Sequence, residues 1–168
     1  MYNVKHELTD GTYTPDFKVQ YPQIKIEAWD KPRLRDGDNL MVFVFGSNAQ
    51  GHHGAGAALY AVKHCGAVSG QGHGRRGNSY ALATRVVKPG NPYIVDLPFE
   101  EVQKNVAAFL DYARQYPELE FQVTAIGTGH AGFTHAQIAP LFADCPDNCF
   151  FDTVWATWLP DKKFWGTY

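Results

Sequence analysis

The sequence has few of the features that mark disulfide-rich, metal-binding or nucleic-acid-binding proteins. Only three of its 168 residues are cysteines, and Cys145 and Cys149 need further ligands before they could form a metal site. Neither sign of charge dominates, because 15 Lys and Arg residues stand against 17 Asp and Glu residues. We therefore expect reduced thiols and no bound metal, and the charge balance argues against a nucleic-acid partner.

Long apolar runs are also missing. No stretch approaches the roughly 20 apolar residues that span a bilayer. The opening residues, MYNVKHELTDGTYTPDF, lack both the charged start and the apolar run of a secretion signal. These absences predict a cytoplasmic protein with no membrane partner, and they leave its oligomeric state open.

Apolar side chains are nevertheless abundant enough for one domain, since 45% of the residues are hydrophobic and 14% are aromatic. Residues 1–39 are polar and interrupted by Pro15, Pro22 and Pro32, which predicts an N-terminal arm or edge segment with a possible short strand at 23–28. Residues 40–168 form the predicted domain.

Strand and helix patterns alternate through this domain. The continuous apolar run at 40–45 predicts a strand that is covered on both faces, and the Ala-rich stretch 55–64 predicts a helix. Further strands are predicted at 80–87, 93–97, 121–126 and 149–151, one helix over 102–113 before Pro117, and another with Ile138, Leu141 and Phe142 after a capping box at Thr134 and Gln137. The alternation predicts an α/β fold with a mixed sheet between helices.

Two glycine-rich loops each follow a predicted buried strand and precede a predicted helix. We call residues 46–56 loop one and residues 127–133 loop two. Open α/β sheets bind ligands at such positions, and glycine lets phosphate oxygens reach main-chain N–H groups beside a helix amino terminus. The two loops therefore predict a ligand with phosphate groups.

Loop two contains Gly127, Gly129 and Gly132 in the G-x-G-x-x-G spacing of dinucleotide-binding proteins. The Rossmann interpretation fails because this motif begins in the last quarter of the chain, and Asp147 precedes the next predicted strand instead of ending it. A P-loop is excluded as well, since no Lys-Ser/Thr pair follows either loop. A different nucleotide-binding architecture is needed.

Three blocks of sequence resemble the macro domains, a family that binds ADP-ribose and in some branches hydrolyses ADP-ribosyl linkages. FGSNAQGHHGAGAAL, starting at residue 45, is similar to the family's first signature, GNSYALAT (77–84) to the strand that follows, and AIGTGHAGF (125–133) to its second phosphate loop. The chain departs from the family where GSNA replaces the usual NAAN and where histidines interrupt the glycine run. It also resembles short phage and bacterial proteins with a GSN loop followed by GAGAA, which implies a phage or mobile-element setting.

The resemblance implies a three-layer macro-domain-like fold and an ADP-ribose-like nucleotide as the small-molecule partner, with no resident cofactor. It implies that Asn48 bonds the distal ribose, that loop two surrounds the diphosphate with Phe133 against the ribose, and that Asp38 is a candidate for reading the adenine. The candidate ligand-binding residues are Asp38, Gly46, Ser47, Asn48, Gly54, Ala55, Gly56, Gly127, Thr128, Gly129, His130, Ala131, Gly132, Phe133 and Trp155.

Histidines His52, His53 and His130 lie in the two loops. Histidine titrates near neutrality and can move protons, so these three and Asn48 are the candidate catalytic residues of an ADP-ribosyl hydrolase. The alternative is that the histidines are solvated or bonded to phosphate, and Cys65 is expected to pack and not to act as a nucleophile. Three function classes stay open: a nucleotide-binding protein, which we favour, a hydrolase, and a protein-interaction domain with a vestigial pocket.

Two further groups of residues have open roles. Arg75 and Arg76 lie in a predicted glycine-rich turn, where they could clamp a phosphate or remain solvated. Trp155, Trp158 and Trp165 could stack on a base or cover the sheet edge. Packing is the favoured interpretation, with Trp155 the best stacking candidate because it lies just past the last predicted strand.

Overall fold

The structure, a computed structural model, describes residues 41–88, 90 and 93–167. The predicted N-terminal arm, its possible strand at 23–28 and the candidate residue Asp38 lie outside the described residues. No helix in the described part of the chain is long and apolar enough to cross a membrane.

Strands and helices alternate along these residues. The strands are β1 (Met41–Asn48), β2 (Gly74–Arg76), β3 (Ser79–Val87), β4 (Ile94–Asp96), β5 (Glu120–Val123), β6 (Cys149–Asp152) and β7 (Lys163–Gly166). The α-helices are α1 (Gly56–His64), α2 (Phe99–Gln115) and α3 (His135–Ile138), and short 3₁₀ helices span Ala139–Phe142 and Thr153–Trp155.

The described strands form one seven-stranded sheet in the order β2-β3-β1-β5-β6-β7, with β4 also paired to β3. β1 pairs in parallel with β3 and β5, and β6 pairs in parallel with β5 and β7. β2 and β4 pair antiparallel with β3, so the sheet is mixed. The predicted α/β fold with a mixed sheet is confirmed. Its parallel centre brings the carboxyl ends of β1, β3 and β5 to one edge.

Neighbouring residues of β1 pack into two separate clusters. Val44 joins a buried cluster that includes Phe109 of α2, whereas Phe45 joins one that includes Ala61 of α1. Successive strand residues point to opposite faces of a sheet, so β1 has a helix on each face. The side chains of Val44, Phe45, Phe109 and Ala61 are all fully buried. For the two residues of β1, this burial agrees with the strand, covered on both faces, that the continuous apolar run predicts. Complete burial of a large apolar side chain contributes roughly 1.5 to 3 kcal/mol, which makes β1 a strong anchor for the loop that follows it.

The predicted capping box at Thr134 and Gln137 is confirmed. The Gln137 amide donates to Thr134 Oγ1 at 3.1 Å, and the Thr134 amide donates to Gln137 Oε1 at 2.8 Å. The helix that it opens, α3, has only four residues before a 3₁₀ helix replaces it. Pro140 explains the change, because proline has no N–H to donate within an α-helix.

Other predicted elements differ in extent or type. β5 ends at Val123 and not at residue 126, because the Thr124 hydroxyl donates to the backbone of β1 at 2.7 Å and the Ile126 amide donates back to the Thr124 carbonyl at 2.8 Å. Arg75 and Arg76 lie in β2, so the prediction of a flexible turn there is wrong. β7 is an additional strand that the sequence patterns do not indicate.

Candidate functional site

A cavity of about 1280 Å³ opens at the carboxyl ends of the central strands. Pockets for drug-sized ligands usually measure about 300 to 1,000 Å³, so this one has room for a dinucleotide-sized molecule. Loop one and loop two meet in it, since a Cβ atom on Gly46 would lie 3.5 Å from the amide nitrogen of Gly127. The structure therefore brings both glycine-rich loops into one site.

Most of the ligand-binding residues proposed from the sequence line this cavity. They are Gly46, Ser47, Asn48, Gly54, Ala55, Gly56, Gly127, Thr128, Gly129, His130 and Ala131. The candidate catalytic residue His52 lines it too. The cavity lining does not include Gly132, Phe133, Trp155 or His53.

Asn48 ends β1 and closes the first turn of loop one. Its side-chain nitrogen donates to the His52 carbonyl at 2.9 Å, and its side-chain oxygen accepts from the His52 amide at 3.0 Å. A primary amide has two N–H groups and two lone pairs on oxygen, so one of each remains for a ligand. Asn48 therefore holds the loop in addition to lining the cavity, a role that the sequence does not indicate.

The side chain of His53, a residue of loop one, is buried. Its Nε2 donates to the Gln71 carbonyl at 3.0 Å, its Nδ1 lies 3.4 Å from Ser47 Oγ, and its ring packs edge-on against Phe45. Burial lowers the pKa of His53 below its ordinary value. These contacts describe a neutral histidine that supports the loop, so we remove His53 from the candidate catalytic residues.

Helix α1 begins in the cavity. Ala55 occupies its N-cap position without a side-chain hydrogen bond, and no acidic residue lies in its first turn. The first N–H groups of an α-helix have no partner within the helix, and the helix dipole makes this end attractive to anions. Because the residues here are Ala and Gly, an anion can approach the backbone closely.

Loop two contributes main-chain amides. Its first turn is fixed by the left-handed backbone of Gly127, whose φ is 80°, and by the Thr128 hydroxyl, which donates to the Ala125 carbonyl at 2.7 Å. Within the described residues, the amides of Gly129 and Ala131 and the His130 amide between them have no hydrogen-bond partner. Successive main-chain amides in a turn can form a concave site for anions.

The last two residues of loop two do not line the cavity. The Gly132 amide donates to Asp96 Oδ2 at 2.9 Å. Phe133 packs against Phe99, with ring centroids 6.0 Å apart, and against the core. Phe133 is not among the residues that line the cavity, so the structure gives no support to its expected contact with a ribose.

Trp155 and Cys65 belong to the core. Trp155 is fully buried, packs on Phe142, and donates from its indole nitrogen to His135 Nδ1 at 3.0 Å. It cannot stack on a base in the cavity, so the favoured interpretation, packing, applies to Trp155, and its place among the candidate ligand-binding residues is wrong. Burial raises the pKa of the Cys65 thiol to about 12, which makes it a poor nucleophile.

Three cavity residues carry or can carry positive charge and were not selected from the sequence: Lys63, His64 and Arg85. Together with His52 and His130 they line the cavity without any Asp or Glu among its described lining residues. The sequence could have indicated Lys63 and His64, because they follow Gly56 at helical spacing. No sequence motif marks Arg85. Only the strand register, which pairs it with Asn48, places it in the site.

No group of three or more His, Cys, Asp and Glu side chains in the described residues is arranged to hold a metal ion. Comparison of the chain with protein-family models, curated proteins and solved structures found no match.

Proposed function

We propose that the protein binds ADP-ribose, or a related NAD-derived nucleotide, in the cavity between loops one and two. The observation that carries this proposal is the convergence of an uncapped helix terminus, unpaired loop amides and basic side chains on one cavity whose described lining has no acidic residue. Phosphate groups bind such surfaces through N–H donors and positive potential. A ligand with two phosphates uses both loops at once.

The arrangement of the helices supports the macro-domain-like part of the proposal. α1 and α2 pack on opposite faces of the central strand β1, and the cavity lies at its carboxyl end. In the proposed complex, the diphosphate lies over loop two and the distal ribose lies beside Asn48. The remaining N–H and lone pair of Asn48 suit a ribose hydroxyl, which both donates and accepts. A cytoplasmic phage or mobile-element setting belongs to the same proposal.

Hydrolysis of an ADP-ribosyl linkage is the second candidate function. It is supported by His52 and His130, which line the cavity and are exposed. Binding is favoured because no carboxylate in the described lining is available to orient either imidazole in the way that the Asp of a Ser-His-Asp triad does. A vestigial pocket is the least supported, since no side chain fills the space above Gly54, Gly56 or Gly129.

Calorimetric titration with ADP-ribose tests the proposal, with AMP and ribose 5-phosphate as partial ligands. We expect saturable one-to-one binding of ADP-ribose and much weaker binding of either half. Incubation with ADP-ribosylated protein then distinguishes the two functions. If the protein is a hydrolase, its turnover should fall about 10²- to 10⁴-fold when His52 or His130 is replaced by alanine. If it is a binding protein, the parent chain itself shows no turnover. If ADP-ribose does not bind at millimolar concentration and the parent chain does not turn over ADP-ribosylated protein, both functions are rejected.

A further inference from the structure

Asp96, at the end of β4, links the two loops. Its Oδ2 accepts from the Gly132 amide of loop two at 2.9 Å, and its Oδ1 accepts from Arg85 Nε at 3.2 Å. Arg85 in turn holds loop one, because its carbonyl oxygen accepts from the Ala49 amide at 2.8 Å. One carboxylate thus joins loop two to the residue that secures loop one.

We propose that Asp96 is a positioning residue that fixes the separation of the two loops and the orientation of Arg85 at the cavity wall. Its effect on nucleotide affinity rests on the proposed function, whereas the link itself is a property of the ligand-free chain. Asp96 does not line the cavity, so it acts through Gly132 and Arg85 and not by contact with the ligand.

The orientation of Arg85 follows from its hydrogen bonds. Its Nη2 donates to the Ile94 carbonyl at 2.8 Å and its Nε to Asp96, which immobilises the planar guanidinium. Its Nη1 has no hydrogen-bond partner among the described residues, and Arg85 is one of the residues that line the cavity. A guanidinium held on two nitrogens and open on the third is oriented in advance for a phosphate or a ribose hydroxyl.

The link through Asp96 fixes the position of loop two and adds little to the stability of the fold. The side chains of Arg85 and Asp96 are 26% and 37% exposed, and ion pairs that are open to solvent add little to the free energy of folding. Loop two has no regular secondary structure, so the Gly132–Asp96 hydrogen bond is one of few contacts that define its path. Removal of the carboxylate should therefore loosen the loop in a protein that still folds.

NMR spectroscopy of the ligand-free protein tests the link directly. In Asp96→Ala we expect hydrogen exchange of the Gly132 amide to accelerate about tenfold, the effect of losing one hydrogen bond of ordinary strength, and the Arg85 Nε–Hε signal to shift. Asp96→Asn retains one acceptor oxygen and should restore part of the Gly132 protection. The matched control is Asp111→Ala, which removes an exposed Asp–Arg pair of 2.9 Å on α2 and should leave both signals unchanged.

Binding measurements on the same variants complete the test. Affinity for ADP-ribose should fall about tenfold in Asp96→Ala, less in Asp96→Asn, and not in Asp111→Ala. Unchanged Gly132 exchange in a folded Asp96→Ala would overturn the inference, as would lost protection with unchanged affinity. If the parent chain does not bind ADP-ribose at all, the proposed function fails, and the exchange data alone decide whether Asp96 holds the loop.

Discussion

Gly72 lies so close to the carbonyl oxygen of Asn48 that no side chain fits between them. A Cβ atom on Gly72 would overlap this oxygen and the carbonyl group of Ala49. Gly51 makes the reciprocal contact with the backbone of Gly70 and Gln71, and the Gly70 amide donates to the Gly51 carbonyl at 3.0 Å. The backbone of residues 70–72 therefore packs directly against the backbone of loop one and supports it.

We expect Gly72→Ala to displace loop one. The added methyl group cannot be accommodated without backbone movement, so the free energy of unfolding should fall by about 1 to 3 kcal/mol and ADP-ribose should bind more weakly. Urea denaturation and calorimetry measure the two effects. Gly54→Ala is the control for stability, because a Cβ there meets no atom within 4 Å. Equal stability of the two variants would show that the close packing is not needed.

Asn48→Ala should affect both folding and binding. The change removes two hydrogen bonds to His52 and the amide beside the ligand, so we expect losses of about 1 to 3 kcal/mol in stability and a measurable loss in affinity. Asn148→Ala is a matched control, since the Asn148 side chain also makes two hydrogen bonds to backbone, in both of which it is the donor, at 3.0 and 3.1 Å and far from the cavity. If the two variants lost affinity equally, Asn48 would have no specific role at the site.

Gly129→Val should reduce affinity with little change in stability. Gly129 lines the cavity, its backbone is not left-handed, and a Cβ there meets nothing within 4 Å. A branched side chain would fill the space through which a phosphate reaches the loop amides, so we expect affinity to fall at least about tenfold and the unfolding free energy to change by less than about 0.5 kcal/mol. Gly129→Ala should show an intermediate loss. Full affinity in Gly129→Val would show that loop two does not bind the phosphates.

The buried state of His53 predicts a pH dependence of stability. Burial lowers its pKa in the folded protein, while the unfolded chain binds a proton near pH 6.5. The contribution of neutral His53 is therefore complete above about pH 6.5 and is lost as the pH falls towards the folded-state pKa. His73 has the same direction of shift, also from burial. Denaturation experiments between pH 7.5 and 5.5 measure how the free energy of unfolding changes with pH. The slope of this dependence should be shallower for His53→Gln than for the parent. An identical slope would mean that His53 is not buried as described.

Local patterns in the sequence predicted the parts of the fold that local forces determine. β1 and α1 follow from an apolar run and an Ala-rich stretch, and the start of α3 follows from the side chains of Thr134 and Gln137. β7 was missed because its identity as a strand comes from pairing with β6. β2 was missed for a similar reason: its glycine-rich sequence resembles a turn, but β3 provides an edge for it to pair with.

The candidate site divides in the same way. The glycines between a strand and a helix predict both loops, because this pattern lies within a short stretch of sequence. Arg85 and Asp96 were not recognised, since only the register of β3 against β1 and β4 brings them to the loops. Trp155 was assigned to the ligand because its distance along the chain from β6 does not reveal that its side chain turns into the core.

The most direct measurement is a titration of the ¹⁵N-labelled protein with ADP-ribose, followed by heteronuclear NMR. Binding through the unpaired amides requires the signals of Gly129, His130 and Ala131, and those of the first turn of α1, to shift together and to saturate at one equivalent. Signals at the opposite end of the sheet, such as Asn148, should remain in place. Saturable shifts confined to other surfaces, or no shift at millimolar ADP-ribose, would contradict the proposal that the two glycine-rich loops form a nucleotide site.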